Sequence, residues 1–484
     1  MELLKSHNLI ALLVSAFLFV GLLGAVLFNA WAYPFALLLL LAGGTFFLQY
    51  PKRTFLILLF LRIVVDLMHF LPSIGGLNIL ELFSGGSTAV CLILIAHRFR
   101  TDIEFHPAIL FFFIWNFTLI FQLFNSPATL SSAVDFLKSF SPVLLLPLCS
   151  SIFTQRGDGL KIMRYLAWAG AVPILSSLYF LAAGQMNDPD MVLHGIPRLL
   201  GGYKNLRHHG LIMLIIALLG VFQWAIAENK RSKSIWTVYT LGAVVCLYLT
   251  MIRSSLLPFV IAVALFSWMT KRKWVVYVLG VLVFIGIFTS ETLQDRFKDF
   301  ILIFTLSRET DIDQLAKLGS GRYALWTSSF EAWMNKGVLN QMLGLGYGAH
   351  TELTNSAFFA FDAASNKDLD PHNDILYMLY DLGPLSLFSY MGMTWMGTKA
   401  CFTLHKLGQT WQEKQLGAIC ACSMIALTIN NLISNGTVKR VTIGWMFWVF
   451  AGIAYGTLKY YRIQQKQHIK RTAHALPSEQ NSFT

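Results

Sequence analysis

Long apolar runs constrain this chain more than any other feature. Stretches of about 20 apolar residues recur from near residue 9 to near residue 459, and each is long enough to cross a bilayer as an α-helix. Hydrocarbon offers the backbone no hydrogen-bond partner, so helices that satisfy their own N–H and C=O groups are required there. Across the chain, 56% of residues are apolar and 13% are charged. The sequence therefore predicts an all-α polytopic integral membrane protein.

The apolar runs predict about fourteen transmembrane helices and a long outer loop that is partly helical. The runs lie near residues 9–28, 33–50, 54–72, 79–97, 106–124, 137–153, 162–183, 208–227, 234–252, 254–270, 273–290, 373–397, 415–434 and 441–459.

Basic residues mark every second connection between these runs, as expected for cytoplasmic loops under the positive-inside rule. We therefore place these connections and both termini in the cytoplasm. The net charge of +12 then reflects membrane topology and argues against a nucleic-acid-binding function. The connections are Lys52-Arg53, Arg98 with Arg100, Arg156 with Lys161 and Arg164, Lys230-Arg231 with Lys233, Lys271-Arg272-Lys273, Lys406 with Lys414, and Lys459 to Arg471.

This topology divides the chain into four parts: helices 1 to 11 in residues 1–290, a large outer loop in residues 291–371, helices 12 to 14 in residues 372–459, and a cytoplasmic tail in residues 460–484. Residues 322–342 carry apolar side chains at helical spacing. That spacing predicts an amphipathic helix on the bilayer surface, where it would roof a cavity.

Six cysteines lie within or at the ends of the apolar runs, and none lies in an outward connection. Cys420 and Cys422 are one residue apart, which is not a zinc-ligand spacing. We interpret all six as small core residues: Cys91, Cys149, Cys246, Cys401, Cys420 and Cys422.

His372 lies in the segment Asp370-Pro371-His372-Asn373-Asp374, directly after the large outer loop. Aspartate is a good N-cap and proline is favoured at the first helical position, so we expect His372 in the first turn of a membrane helix. One reading is an acid–base group, and the other is a simple helix-start residue. Asp381 follows nine residues later, on the opposite side of an unbroken helix. The two would pair only if the helix is distorted near Gly383-Pro384.

Few basic residues occur on the outer side, which makes each one informative. Arg253 lies in a very short connection between two apolar runs, and Arg198, Lys204 and Arg207 precede another run. One guanidinium group can donate two parallel hydrogen bonds to phosphate oxygens, and it stays positively charged. These arginines are therefore suited to binding a diphosphate. The alternative is that they reach the phosphates of lipid headgroups.

Three Asp-x-Asp pairs lie on the predicted outer side, where a divalent cation would help to bind a diphosphate. They are Asp188/Asp190, Asp311/Asp313 and Asp368/Asp370. Acidic loops produce this short pattern by chance, so the residues alone leave metal use open.

The order of these features resembles the bacterial superfamily of O-antigen ligases and O-antigen or exopolysaccharide polymerases, over most of the chain. In the ligases of that superfamily a His-Asn pair is separated by nine residues from Gly-x-x and a small residue, and His372-Asn373 and Gly383 have this spacing here. Ser386 holds the last place, where ligases usually have Gly, Thr or Tyr, so the pattern does not decide for the ligase. The residues that carry the resemblance are Gly202-Tyr203-Lys204-Asn205, Arg253-Ser254-Ser255, Ser320-Gly321-Arg322 with Trp326, Gly344, Gly346, Gly348 and His372-Asn373.

The resemblance implies a membrane glycosyltransferase that uses undecaprenyl-diphosphate-linked glycans at the periplasmic face of the bacterial inner membrane. It implies His372, Arg253 and Arg322 as catalytic residues. The implied substrate-binding residues are Tyr203, Lys204, Asn205, Asn373 and Arg198 or Arg207. It further implies a reaction without metal or cofactor, whose partners are the lipid-linked donor, a glycan or lipid A core acceptor, and membrane lipid.

Polymerase and ligase differ in the acceptor, which is either a second lipid-linked repeat unit or a sugar of the lipid A core. In some relatives the acceptor is a protein. The segment Pro371-His372-Asn373-Asp374, with Tyr377 after it, resembles the corresponding segment of exopolysaccharide polymerases more than that of typical ligases. We therefore favour the polymerase. A lipid flippase or transporter is the alternative from another class, because fourteen helices is a common transporter count. A transporter needs charges near the midplane in both halves, and the candidates are Arg62, Asp66, Asp135 and Asp381.

Overall fold

The computed structural model describes residues 49–71, 78–98, 106–126, 130–184, 192–193, 196–272, 322–358 and 372–475. Within these ranges the regular secondary structure is helical apart from one two-residue antiparallel ladder, Val192–Leu193 with Ile196–Pro197. The predicted all-α membrane class is confirmed. The apolar runs near 9–28 and 273–290, and most of the run near 33–50, lie outside the described residues.

Ten helices precede the predicted outer loop in the described residues. They are α1 (Pro51–Val65, followed by a 3-10 turn at Asp66–Met68), α2 (Ile79–Arg98), α3 (Pro107–Asn125), α4 (Leu130–Val143), α5 (Leu145–Ile152), α6 (Asp158–Ala169), α7 (Ala171–Ala182), α8 (Leu206–Ile226), α9 (Lys230–Leu249) and α10 (Arg253–Met269).

Seven further helices follow in the described residues. They are α11 (Arg322–Met334), α12 (Val338–Leu343), α13 (Ala349–Phe358), α14 (Asp374–Tyr377, continued by a π-helical turn at Met378–Leu382), α15 (Pro384–Leu407), α16 (Trp411–Ile433) and α17 (Val441–Ala475).

Eight stretches of the described chain are long and apolar enough to cross a membrane. Two of them combine consecutive helices, α4 with α5 and α6 with α7, and α10 is a shorter apolar helix. The predicted number of fourteen helices is therefore not established. The eight are Ile79–Ala96, Pro107–Asn125, Ser131–Ile152, Asp158–Ala182, Leu206–Ile226, Lys230–Leu249, Trp411–Ile433 and Val441–Ile469.

Helices α8, α16 and α17 form the centre of the bundle. Helix α8 packs against α9, α10 and α16, and α17 packs against α5, α15 and α16. Close approach here depends on glycine, because a Cβ on Gly452 would lie 2.4 Å from Cys149 Cβ. Small residues of this kind let membrane helices pack closely. The six cysteines are buried thiols, as the sequence predicted.

The predicted amphipathic helix over residues 322–342 is wrong in its extent. Helix α11 ends at Met334, and α12 begins at Val338 after a turn that contains Gly337. The inner side of α11 packs through Trp333 against Tyr380 and Leu353. Large apolar side chains nevertheless remain exposed along both helices: Phe330, Met334, Val338, Leu339, Met342 and Leu343.

A buried ionic network joins four helices at the end of the bundle where α1 ends and α2, α8 and α17 begin. Arg62 bonds to Asp66 (3.1 Å), Ser84 (2.8 Å) and Thr442 (2.7 Å). His208 Nε2 lies 2.7 Å from the second oxygen of Asp66, to which the Thr442 hydroxyl also donates. The network therefore fixes the first turn of α8 relative to α1 and α17. We call this end of the bundle the site end.

Replacing Asp66 by alanine would leave the buried guanidinium of Arg62 without its carboxylate. Removing one partner of a buried ion pair costs about 3–5 kcal/mol. We expect a large fall in the thermal stability of the purified protein, measured by tryptophan fluorescence on heating. Glu331→Ala, which removes an exposed carboxylate, is the matched control, and an equal fall in both variants would contradict this account.

Candidate functional site

Three arginines occupy the first turns of three helices. Arg253 is the first residue of α10, Arg322 is the first residue of α11, and Arg207 is the second residue of α8. Helix N-termini carry positive partial charge, so a cation there is destabilising by roughly 0.3–1 kcal/mol. No acidic residue lies in any of these three first turns. The arrangement therefore concentrates positive charge.

Arg322 lies within electrostatic range of two other arginines, Arg207 and Arg253. Burial, followed by the charges of Arg207 and Arg253, lowers the pKa of Arg322 to about 10. Burial and the charge of Arg207 also lower the pKa of Arg198. Arg322 therefore remains charged at neutral pH. We call Arg198, Arg207, Arg253 and Arg322 the arginine cluster.

The C-terminal end of α16 links the arginine cluster to the segment that contains His372. Arg322 Nη1 donates to Ile433 O at 2.5 Å, and Asn373 Nδ2 donates to Leu432 O at 2.9 Å. Carbonyls in the last turn of a helix have no partner within the helix, so donors from elsewhere satisfy them. Arg322 and the neighbour of His372 are thus attached to consecutive carbonyl groups.

His372 lies before the helix and not in its first turn, so that prediction is wrong. The N-cap is Asn373, whose side-chain oxygen accepts hydrogen bonds from the backbone N–H groups of Ile375 and Leu376. The helix begins only at Asp374, and His372 takes a left-handed backbone conformation with φ of 51°. This conformation costs a non-glycine residue about 1–2 kcal/mol. Asp370 and Pro371 lie outside the described residues.

The segment before α8 holds three other predicted substrate-binding residues. Asn205 is the N-cap of α8 and accepts from the N–H groups of Arg207 and His208. Tyr203 is buried and stacks on His209, with ring centroids 5.2 Å apart. Lys204 is exposed. Substrate contact by these three residues stays a prediction, and the structure gives Asn205 a capping role.

Asp381 pairs with His350 in this structure. Its carboxylate accepts hydrogen bonds from Gly348 N (2.9 Å), His350 N (2.7 Å) and His350 Nδ1 (2.8 Å). The π-helical turn over residues 378–382 produces the distortion that Gly383-Pro384 suggested. On the other side of the ring, His350 Nε2 lies 2.8 Å from Lys439 Nζ.

The loop over residues 434–440, between α16 and α17, completes this region, and we call it the Lys439 loop. Asp374, which is fully buried, accepts hydrogen bonds from Gly436 N (2.9 Å) and Val438 N (3.1 Å). Lys439 also lies 4.7 Å from the centre of the Tyr377 ring. The Lys439 loop therefore connects the α14 segment with His350.

Sequence reasoning missed His350 and Lys439. His350 lies two residues after Gly348, which is part of the family resemblance, but a lone histidine in the predicted outer loop has no spacing pattern that marks it. Lys439 and Arg440 form a basic pair in a connection that alternation assigns to the outer side. That exception to the positive-inside rule was the available signal.

The glycines at 344, 346 and 348 all have positive φ values, and they wrap the chain around the turn that contains Asp381. Leu345 N donates to Tyr380 O at 2.9 Å, and Gly346 N donates to Asp381 O at 3.0 Å. A Cβ on Gly344 would lie 2.7 Å from the backbone of residues 381–383. Only glycine permits so close an approach of two backbones.

Gly344→Ala and Gly348→Ala separate steric clash from backbone strain. Both glycines have positive φ, but a Cβ on Gly348 meets nothing within 4 Å. We expect Gly348→Ala to cost about 1–2 kcal/mol from strain alone and Gly344→Ala to cost more. The thermal midpoints of the two purified variants check this, and equal midpoints would contradict the predicted close packing at Gly344.

The metal prediction concerns residues that the structure does not describe. All three Asp-x-Asp pairs fall in the gaps between the described ranges. Within those ranges, no group of three or more His, Cys, Asp or Glu side chains is arranged to hold a metal ion.

Residues 238–391 match the family model Wzy_C, described as O-antigen ligase. Over these residues the resemblance to the O-antigen ligase and polymerase superfamily is confirmed. The matched region includes Arg253, Arg322, His372 and the His350–Asp381 pair, whereas Arg198, Arg207 and Lys439 lie outside it. No curated protein matches the chain. The family and the apolar helices together indicate a bacterial membrane protein with glycosyltransferase-like activity on lipid-linked glycans.

Proposed function

We propose that this protein polymerises undecaprenyl-diphosphate-linked oligosaccharide repeat units at the periplasmic face of the inner membrane. The arginine cluster binds the diphosphate of the donor, and His372 accepts the proton of the attacking hydroxyl group. The observation that carries this proposal is the convergence of four arginines at the site end, where three helix N-termini add positive partial charge.

The charge of the arginine cluster supports a diphosphate ligand. Desolvation and mutual repulsion make the cluster costly, as the lowered pKa of Arg322 indicates. An anion with two phosphate groups would relieve that repulsion and use the paired N–H donors of each guanidinium. When the glycosidic bond to the diphosphate breaks, the same arginines would stabilise the charge that develops on the leaving group.

Two properties of His372 support its role as the general base: its position next to Asn373 and its backbone conformation. It directly precedes Asn373, which shares the end of α16 with Arg322. Its left-handed conformation is costly, and strained residues of this kind concentrate at functional sites. A base beside the diphosphate site would take the acceptor proton as the new glycosidic bond forms.

The ligase remains the second candidate, because the matching family model is described as O-antigen ligase. A transporter is less favoured. The four charged groups that a transporter would use already have partners: Arg62 pairs with Asp66, Asp135 pairs with Lys138, and Asp381 accepts a hydrogen bond from His350.

Inorganic pyrophosphate should stabilise the purified protein if the arginine cluster binds diphosphate. A ligand at one hundred times its Kd adds about 2.7 kcal/mol to the stability of the folded state. We expect a rise in the thermal midpoint that Arg322→Met largely removes and that Arg164→Met, which removes an exposed arginine of α6, preserves. Sulfate at equal ionic strength controls for salt. An undiminished rise in Arg322→Met would argue against this binding site.

His372→Ala should abolish transfer while leaving donor binding intact. Loss of a general base typically lowers the rate by about 10²–10⁴-fold. The measurement is glycan transfer from a lipid-diphosphate donor by purified protein, with and without EDTA, and His468→Ala in the exposed tail of α17 is the matched control. Full activity of His372→Ala would remove the catalytic assignment. Loss of activity with EDTA would favour the Asp-x-Asp sites.

Competition between acceptors separates polymerase from ligase. We expect purified protein offered both a second lipid-linked repeat unit and lipid A core to extend the repeat unit, giving a ladder of products by gel electrophoresis. Transfer to lipid A core alone would make the protein a ligase. Transport of the donor across vesicles without any transfer would contradict both functions.

A further inference from the structure

We propose that Asp381, His350 and Lys439 form a positioning triad that holds the Lys439 loop in the arrangement that glycosyl transfer requires, and that it does so only while His350 is neutral. This inference rests on the proposed function. It assigns a role to three residues that the proposed chemistry does not use.

Asp381 fixes the orientation of the His350 ring. The carboxylate is fully buried and accepts two backbone N–H groups and His350 Nδ1 at 2.7–2.9 Å. Three donors stabilise the ionised carboxylate. Because an ionised carboxylate only accepts hydrogen bonds, His350 Nδ1 carries a proton and donates it to Asp381. The Nε2 atom then faces Lys439.

The contact between His350 Nε2 and Lys439 Nζ depends on the charge of His350. Two nitrogen atoms 2.8 Å apart need one proton between them, so a neutral His350 accepts a hydrogen bond from the Lys439 ammonium group. If Nε2 carried a proton, the His350 ring and the Lys439 ammonium group would both be donors and both be positively charged, so they would repel each other. Protonation of His350 would therefore release Lys439 from the ring.

The other charged and polar groups near this contact do not change the expected effect of protonating His350. The Tyr377 ring packs edge-on against His350 at 5.1 Å and lies beneath Lys439. The Thr351 hydroxyl lies 3.2 Å from His350 Nε2. Behind Tyr377, the carboxylate of Asp135 in α4 is paired with Lys138 at 2.7 Å. In the described residues, Asp381 is the carboxylate in direct contact with the His350 ring.

Lys439 matters because its loop is attached to both halves of the proposed site. The Lys439 loop is held by Asp374 through Gly436 N and Val438 N. The two carbonyls just before it hold Asn373 and Arg322. If Lys439 is released, the segment that sets His372 relative to Arg322 loses one of its anchors. Small misplacements of reacting groups cost up to about a hundredfold in rate.

The first test compares Lys439→Met and Lys439→Arg with Lys336→Met, which removes an exposed lysine near α12. We expect Lys439→Met to lower kcat by about ten- to a hundredfold, with unchanged KM for donor and unchanged stabilisation by pyrophosphate. Lys439→Arg should recover part of kcat. We expect the kcat of the wild type to fall on acidification and this fall to be absent in Lys439→Met. An unaltered pH profile and kcat in Lys439→Met would overturn the proposal.

The second test needs no transfer activity, so it separates failure of this inference from failure of the proposed function. Amide hydrogen exchange of residues 434–440 is measured by mass spectrometry between pH 5 and 8, corrected for intrinsic rates. We expect protection in wild type to fall on acidification and to be low at every pH in Lys439→Met. Lys336→Met should behave as wild type. Equal protection in wild type and Lys439→Met would overturn the inference even if transfer is observed.

Discussion

The unsatisfied carbonyl groups at the end of α16 are the constraint on which the site depends. A helix that ends inside a protein must find donors for its last carbonyls, and here the donors are Arg322 and Asn373. Arg322 is the first residue of α11, and Asn373 is the N-cap of α14. Because both residues bind the same helix end, Arg322 lies near the segment that contains His372. Arg322 and His372 are 50 positions apart in the sequence.

Electrostatic cost and function are closely linked at this end of the bundle. The arginine cluster lies where helix dipoles already repel cations, and His372 and Met251 adopt left-handed backbone conformations beside it. The remaining fold supplies rigidity. The buried Arg62–Asp66–His208 network fixes the helix that contains Arg207, and the tightly packed glycines of α17 hold it against α5.

Apolar periodicity and length were enough to predict the membrane class, because every helix in hydrocarbon must satisfy the same simple rule. The arginines could be selected from sequence for a similar reason, since a cation in an outer connection is unusual. His350 and Lys439 could not be selected as a pair. Their contact spans 89 residues, and nothing local in the sequence specifies it. Likewise, the N-cap is Asn373 and not the predicted Asp370. The Asn373 side chain accepts hydrogen bonds from two backbone N–H groups and also donates to Leu432 O.

The sequence by itself determined that the chain is a helical membrane protein, which family it resembles, and which few polar residues lie at the ends of its helices. These properties follow from local composition and from the order of motifs along the chain. Only the tertiary structure decided that Arg207, Arg253 and Arg322 share one cluster, that Asp381 belongs to His350, and that the Lys439 loop joins both regions. Such choices depend on how helix ends meet, and unsatisfied backbone groups and buried charges select their partners only when the helices have packed.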